Sequence, residues 1–237
     1  MLPSPDAEVL PGLCWGRAHQ PFTPAYWAAQ FWHAQFNGGY GDYAWSGNLR
    51  HEVAACLLGG HGITYEMNRA AYERLRDTGL LDAVEADGAG IEEQLRLPFV
   101  IMGRNIRYRF PRQKARYLQA ALDRLHGEAP PVETPGKFRE WLLALPGIGL
   151  KTASWITRNH LDSDQVAVID IHVFRAGVIM GLFRSNQKLP RDYGCLERSF
   201  LAFAAAIGAD ARRLDVLIWC QMREGGVLGW DAFRNAA

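Results

Sequence analysis

A proline and two glycines near the middle of the chain constrain its fold more than any other feature does. Apolar side chains precede them at helical spacing, at Phe138, Trp141, Leu142 and Leu145. Pro146 ends that predicted helix because it has no N–H, and Gly147 and Gly149 permit a tight turn that other residues would strain. A second helix is expected from about Leu150. The pattern predicts a helix-hairpin-helix, which is either a simple helical corner or a phosphate site, since unpaired N–H groups at a helix start favour anions.

The chain after this unit predicts a further helix start. A polar break at residues 162–164 interrupts the second helix, and residues 166–169 then run extended. A new helix opens at Asp170 and continues through Met180. Aspartate is a favoured N-cap residue, so the Asp170 carboxylate has a structural role whatever else it does. Apolar and polar residues almost nowhere alternate with period two, so we expect an all-α protein.

The hairpin and the segment after it resemble a known family. Leu145-Pro-Gly-Ile-Gly-Leu-Lys151, followed by Val168-Ile-Asp170-Ile-His172, resembles the helix-hairpin-helix DNA glycosylases with a catalytic lysine and aspartate. This group holds endonuclease III and 8-oxoguanine DNA glycosylase. The close resemblance covers residues 138–177, and a looser one in pattern extends from about residue 53 to residue 219.

The resemblance implies a domain organisation and a site. It implies two helical lobes with the active site in the cleft between them, one lobe formed by residues 50–158 and holding the hairpin, the other by residues 1–49 and 159–237. Lys151 and Asp170 are the implied catalytic residues. The hairpin residues that would hold a DNA phosphate, with a bound monovalent or divalent ion, are Gly147, Ile148 and Gly149.

The implied reaction is excision of a damaged base from duplex DNA, followed by strand cleavage. A damaged nucleotide is flipped out of the helix, Asp170 stabilises positive charge on the sugar, and Lys151 attacks C1′. The resulting Schiff base makes the 2′ proton acidic, so β-elimination cuts the strand. A lysine must lose its proton to act in this way. A non-catalytic DNA-binding module explains the hairpin equally well, and only the pairing of Lys151 with Asp170 argues against it.

The identity of the base depends on a later helix. Asp215 and Trp219 are four residues apart and so share a helix face, which resembles the way in which 8-oxoguanine glycosylases hold the base edge and the base face. A core stripe with Asp215 at its polar margin explains the same pattern. We expect 8-oxoguanine as the substrate, with oxidised pyrimidines or another modified base as the alternative.

Side chains that wedge into the DNA are expected in two turns. His61 lies among glycines where the family inserts a side chain into the base stack, although a surface turn is the alternative. Tyr108 or Phe110 is a second candidate wedge, and Arg112 follows as a DNA contact. Trp45 is a further candidate for stacking on nucleic acid. Six cations without an acidic residue among them surround the second turn: Arg104, Arg107, Arg109, Arg112, Lys114 and Arg116.

Composition limits the cofactors and partners. The four cysteines, Cys14, Cys56, Cys195 and Cys220, are too scattered for the four-cysteine cluster of endonuclease III-like members, so we expect buried free thiols and no iron–sulfur cluster. No apolar run approaches the length of a membrane span, and the first residues do not resemble a signal peptide. We therefore expect a cytoplasmic monomer whose partner is double-stranded DNA containing a damaged base.

Overall fold

The computed structural model describes residues 2–38 and 48–236, and within these ranges the chain forms eleven helices and four short strands. The helices are α1 (Pro24–Phe36), α2 (Leu49–Leu58), α3 (Tyr65–Asp77), α4 (Gly88–Arg96), α5 (Pro111–Gly127), α6 (Pro135–Leu143), α7 (Leu150–His160), α8 (Ile171–Met180), α9 (Tyr193–Ala206), α10 (Ala211–Glu224) and α11 (Gly226–Ala236). The strands are β1 (Glu8–Leu10), β2 (Leu13–Cys14), β3 (Phe99–Ile101) and β4 (Arg104–Ile106). The predicted helical fold is confirmed.

The chain divides into two compact units. The hairpin unit comprises Ala44–Leu161, and the terminal unit comprises Met1–Tyr43 together with Asp162–Ala237. Lys151 belongs to the hairpin unit, whereas Asp170 belongs to the terminal unit.

The hairpin unit is built around α2, which packs against α3, α5 and α7. Eight consecutive residues of α2 are buried, from His51 to Leu58. Helix α6 packs on α7, and its Phe138 and Leu142 are fully buried in the same core. The first turn of α7 therefore stands on a well-packed base.

A β-hairpin in this unit was not expected from the sequence. Strands β3 and β4 pair antiparallel, with Phe99 opposite Ile106 and Ile101 opposite Arg104, and β3 packs on α3. Phe99 is buried under the guanidinium of Arg74, whose Cζ lies 3.5 Å from the ring centroid. Strand β4 thus contains Arg104, the first cation of the basic run. The sequence does not reveal this strand because one buried ring anchors the pair, without an alternation of apolar and polar residues.

The terminal unit joins both ends of the chain. Helix α10 packs against α1, α8 and α9, while β1 pairs with β2 and packs on α9. Trp27, Tyr193, Phe200 and Phe203 are large side chains at its centre with less than 2% of their surface exposed. The β1–β2 pair lies in the N-terminal arm that precedes α1.

The starts of the helices differ in how their N–H groups are satisfied. Seven helices have an N-cap residue whose side chain accepts a hydrogen bond from a backbone N–H. These N-cap residues are Thr23, Asn48, Thr64, Asp87, Thr134, Asp170 and Asp210. The N-cap residues of α5, α7 and α9, which are Phe110, Gly149 and Asp192, make no such bond. The hairpin thus opens a helix without a side-chain cap.

Two other expectations concern the thiols and the membrane. Cys56 and Cys220 are buried free thiols as predicted, but Cys14 and Cys195 are exposed. Burial raises the pKa of the Cys56 thiol well above its usual value, and the nearby Glu52 carboxylate adds to this effect. Among the helices that the described residues form, none is both long and apolar enough to cross a membrane.

Candidate functional site

The turn between α6 and α7 has the geometry that its glycines predict. Gly147 has a φ of +85°, a conformation that L side chains rarely adopt, and a Cβ at this position would overlap the ring of Tyr117. Ile148 is 7% exposed and joins the core, and its N–H donates to the carbonyl of Leu145 at 3.2 Å. Gly149, the N-cap of α7, is exposed, with open space where a Cβ would lie. The core thus anchors the turn, while both of its glycines are exposed.

Lys151 lies in the first turn of α7 and is half-buried. Its Nζ lies 5.1 Å from the centre of the Trp155 ring, an arrangement that favours a cation over the ring face. The charge of Lys151 also affects the pKa values of two neighbouring groups. Burial lowers the pKa of the Lys114 amine, and the charge of Lys151 lowers it further. The charge of Lys151 also opposes the rise in the pKa of the Cys56 thiol.

A buried polar group beside α7 was not recognised from the sequence. The Glu52 carboxylate is 2% exposed on α2, and it accepts a hydrogen bond from Nδ2 of Asn159 at 2.6 Å. Arg158, 5% exposed, donates from Nε to Oδ1 of Asn159 at 2.9 Å. The sequence signal that could have revealed this group is a single carboxylate next to the apolar run of α2. A buried carboxylate is costly unless it has hydrogen-bond partners. This group ties the far end of α7 to α2.

Asp170 is the N-cap of α8, as predicted. Its Oδ1 accepts hydrogen bonds from the backbone N–H groups of His172 at 2.8 Å and Val173 at 2.9 Å. Both bonds use the same oxygen, so Oδ2 takes part in neither. Burial lowers the pKa of the His172 imidazole. The Asp170 carboxylate opposes this shift, and the charges of Arg175 and Arg223 add to it. The carboxylate is held at the start of the helix, half-buried, among charged groups.

The residues predicted to form a base pocket lie on α10. Asp215 is 1% exposed, and its Oδ2 accepts a hydrogen bond from the N–H of Val168 at 2.8 Å. Trp219 is half-buried, and Cζ of Arg223 lies 5.1 Å from the centre of its ring. The structure gives Asp215 the backbone partner that a core role requires. A contact with a base edge stays a prediction.

The candidate wedges fall into two groups. His61 is exposed in the turn after α2, Phe110 is half-buried with the Arg109 guanidinium over its ring, and Arg112 is exposed in the first turn of α5. Tyr108 is 4% exposed, and its hydroxyl donates to the carbonyl of Leu58. A ring held in this way does not fit a side chain that enters the base stack, which corrects the expectation for Tyr108.

One cation of the basic run also has an internal role. Nζ of Lys114 donates to the carbonyls of Leu57 and Gly59. Together with the bond from Tyr108 to Leu58, it satisfies carbonyls at the end of α2 that the helix itself leaves unpaired. Lys114 therefore holds the turn that carries His61, rather than a surface phosphate.

Two further expectations concern Trp45 and a bound metal ion. Trp45 lies outside the described residues. Across residues 2–38 and 48–236, no three histidine, cysteine, aspartate or glutamate side chains form a group that could hold a metal ion.

Much of the chain matches a known protein family. Residues 47–209 match the sequence model of the family described as 8-oxoguanine DNA glycosylase. A curated relative, the 8-oxoguanine DNA glycosylase/AP lyase of Metallosphaera sedula, is 31% identical over 125 residues. That alignment covers 49% of this chain and 59% of the relative, so it spans under two thirds of the relative's length.

Solved structures share the fold. The 8-oxoguanine DNA glycosylase of Thermotoga maritima superposes with a TM-score of 0.57 at 22% identity, covering 86% of this chain and 90% of that one. The Methanocaldococcus jannaschii 8-oxoguanine glycosylase/lyase, solved in complex with a 15mer DNA containing 8-oxoguanine, superposes with a TM-score of 0.56 at 22% identity and the same coverage. At this identity the likeness establishes the fold alone.

Proposed function

Because the chain belongs to the 8-oxoguanine DNA glycosylase family, we propose that it excises 8-oxoguanine from duplex DNA and then cleaves the strand as a lyase. The observation that carries the proposal is the position of Lys151 in the first turn of a helix without a side-chain cap, directly after an exposed glycine turn. The Metallosphaera sedula relative, named a glycosylase/AP lyase, supports the same pairing of activities.

The hairpin residues bind the DNA backbone in this proposal. The N–H groups that open α7 lack a side-chain acceptor, and a phosphate oxygen supplies one. Gly147 permits the turn through its positive φ, Gly149 lets the phosphate approach because open space lies where its side chain would be, and Ile148 anchors the turn in the core. The exposed His61 fills the space that the flipped nucleotide leaves, and the exposed Arg112 contacts a phosphate. The protein acts as a cytoplasmic monomer on damaged double-stranded DNA.

Lys151 and Asp170 divide the chemistry between them. The amine of Lys151, once deprotonated, attacks C1′ and displaces the base, which forms the C1′–N bond as the glycosidic bond breaks. The carboxylate of Asp170 stabilises the positive charge that develops on the sugar during that step. The sugar ring then opens as the C1′–O4′ bond breaks, and the electron pair on nitrogen forms the iminium. The iminium makes the 2′ proton acidic, and loss of that proton expels the 3′ phosphate.

The choice of base rests on α10. Trp219 offers a ring face on which a flipped base can stack, and Asp215 lies one helical turn before it. Trp219→Ala should then weaken discrimination for the lesion more than affinity for undamaged duplex. Equal loss of both would assign the ring to the core.

A panel of duplexes, each with one lesion, tests the substrate. Single-turnover excision should be fastest on 8-oxoguanine, with 5-hydroxycytosine and thymine glycol duplexes as the oxidised-pyrimidine arm and undamaged guanine as the control. Equal inactivity on 8-oxoguanine opposite each of the four bases would overturn the proposal. Faster excision of an oxidised pyrimidine would keep the reaction and change the substrate.

A further inference from the structure

The segment that leads into Asp170 is buried but belongs to neither a helix nor a strand. Val166, Ala167 and Ile169 are at most 2% exposed. Buried backbone N–H and C=O groups require hydrogen-bond partners, and here no neighbouring strand supplies them. Side chains from α9 and α10 supply them instead.

Tyr193 bridges two residues of this segment. Its hydroxyl donates to the carbonyl of Ala167 at 2.7 Å and accepts from the N–H of Ile169 at 3.2 Å. A phenolic hydroxyl has one proton to donate and lone pairs to accept, so both bonds can form at once. The bridge fixes the spacing of these two peptide groups immediately before Asp170. The side chain itself is 1% exposed, so water cannot readily replace it.

Two carboxylates complete the set. Oε1 of Glu197, one helical turn after Tyr193 on α9, accepts from the N–H of Ala167 at 3.1 Å. Oδ2 of Asp215 accepts from the N–H of Val168 at 2.8 Å. Three consecutive N–H groups thus donate to three different side chains. The next N–H, that of Asp170, donates to the carbonyl of Val168 at 3.2 Å.

We propose that Tyr193 and Glu197 are positioning residues for Asp170, an inference that rests on the proposed function. Both side chains are buried, so their action on Asp170 is through the backbone rather than by contact with the substrate. They fix the backbone that delivers the carboxylate to the start of α8, so that Oδ1 meets the N–H groups of His172 and Val173. A displacement of about 1 Å at a reacting group can lower a rate by about a hundredfold.

Tyr193→Phe tests the bridge because it removes only the hydroxyl. Single-turnover excision of 8-oxoguanine should slow by about tenfold to a hundredfold, while affinity for an uncleavable duplex stays within twofold. Tyr72→Phe is the matched control. Tyr72 is 2% exposed in the hairpin unit, and its hydroxyl bonds Nδ1 of His51 at 3.0 Å. This control should excise at the wild-type rate.

A second substrate separates positioning from general loss of stability. On a duplex with a preformed abasic site, the glycosidic bond is already broken, so the charge that Asp170 stabilises in excision does not arise in the same way. Tyr193→Phe should therefore cleave this duplex nearly as fast as the wild type. Equal slowing on both duplexes would reduce Tyr193 to a structural residue and overturn the inference.

Glu197 gives an independent pair of variants should Tyr193→Phe fold poorly. Glu197→Gln keeps an oxygen for the Ala167 N–H, so it should retain most of the excision rate, whereas Glu197→Met removes the acceptor and should lower it. Amide hydrogen exchange at Ala167 and Ile169 provides a readout apart from activity. Exchange should accelerate in Glu197→Met and Tyr193→Phe and stay slow at Leu142 in the other unit.

The outcomes distinguish the two proposals. A wild-type protein that excises no lesion contradicts the proposed function, while the exchange measurement still reports on the contacts. A wild-type protein that excises 8-oxoguanine, with Tyr193→Phe and Glu197→Met equally fast, contradicts the positioning role alone.

Discussion

The starts of α7 and α8 solve the same problem in opposite ways. Gly149 gives α7 no side-chain cap, whereas Asp170 caps α8 through two bonds to its own first turn. One helix keeps its N–H groups for an external anion, and the other satisfies them internally with a carboxylate. The comparison teaches that a missing cap can be as informative as a charged residue, because unsatisfied donors must find a partner in the DNA or in water.

The surroundings of the two helix starts differ in the same sense. The turn before α7 is anchored in a packed core, and both of its glycines are exposed. The segment before α8 is buried and is held by side chains from α9 and α10. In the proposed function, an open start serves phosphate binding, and a closed start serves the placement of one carboxylate.

The largest expected effect comes from Asp170→Asn. Asparagine caps a helix about as well as aspartate does, so the free energy of unfolding should change by less than about 0.5 kcal/mol. Excision should slow by about 10²- to 10³-fold because the negative charge is gone. Asp87→Asn is the control, since Asp87 caps α4 through the N–H of Gly90 at 2.9 Å. Chemical denaturation and single-turnover excision measure the two effects, and a fast Asp170→Asn protein would assign the carboxylate to capping alone.

Two glycine variants separate the fold of the hairpin from its binding. Gly149→Ala places a Cβ in open space at a φ of −103°, so stability should hardly change. Affinity for duplex DNA should weaken by about fivefold to tenfold, about 1 to 1.4 kcal/mol, as the phosphate is held off. Gly147→Ala should also unfold more easily, by about 1 to 3 kcal/mol, because of its positive φ and the Tyr117 ring. Unchanged affinity in Gly149→Ala, measured by fluorescence anisotropy, would leave the open helix start to water.

Helix α5 extends the comparison to a second start without a side-chain cap. Arg112→Gln should lower the slope of log affinity against log salt by about one, since each phosphate contact releases about one counterion. Arg96→Gln serves as the control because Arg96 pairs with Glu92 on its own helix. A slope that Arg112→Gln leaves unchanged would assign this arginine to solvent.

The smallest effect concerns the protonation of His172 in the first turn of α8. Burial lowers the pKa of His172 in the folded protein, so the unfolded chain binds more protons as pH falls through the ordinary histidine range. The free energy of unfolding should therefore decrease between about pH 7 and pH 5, with an unfolded pKa of about 6.5. His172→Gln should show a smaller decrease. An equal decrease in both proteins would remove His172 as a source.

Local patterns in the sequence predicted much of this structure. Helix α7 begins at the predicted Leu150, and the capping role of Asp170 is confirmed because N-cap preference acts within three residues. The glycine turn before α7 likewise follows from backbone geometry alone. These features depend on neighbours along the chain, which a single sequence displays.

The rest depends on contacts between distant residues. The Tyr108 hydroxyl bonds a carbonyl 50 residues earlier, so an aromatic side chain in a basic segment looked like a DNA contact when it was a core residue. Asp215 reaches the N–H of Val168, 47 residues earlier, and Tyr193 reaches Ala167 across 26 residues. No periodicity in the sequence marks such partners. The β3–β4 pair was missed for the same reason, since the buried ring of Phe99 anchors it to α3.

Borohydride trapping tests the central claim most directly, because only a Schiff base between an amine and C1′ is reduced to a permanent cross-link. The wild-type protein should form a covalent adduct with an 8-oxoguanine duplex, and Lys151→Gln should form none. Lys137→Gln, which removes an exposed lysine of the same unit, should still form the adduct. An adduct that persists in Lys151→Gln, or a wild-type protein that excises the base without ever being trapped, would contradict the assignment of Lys151 as the nucleophile.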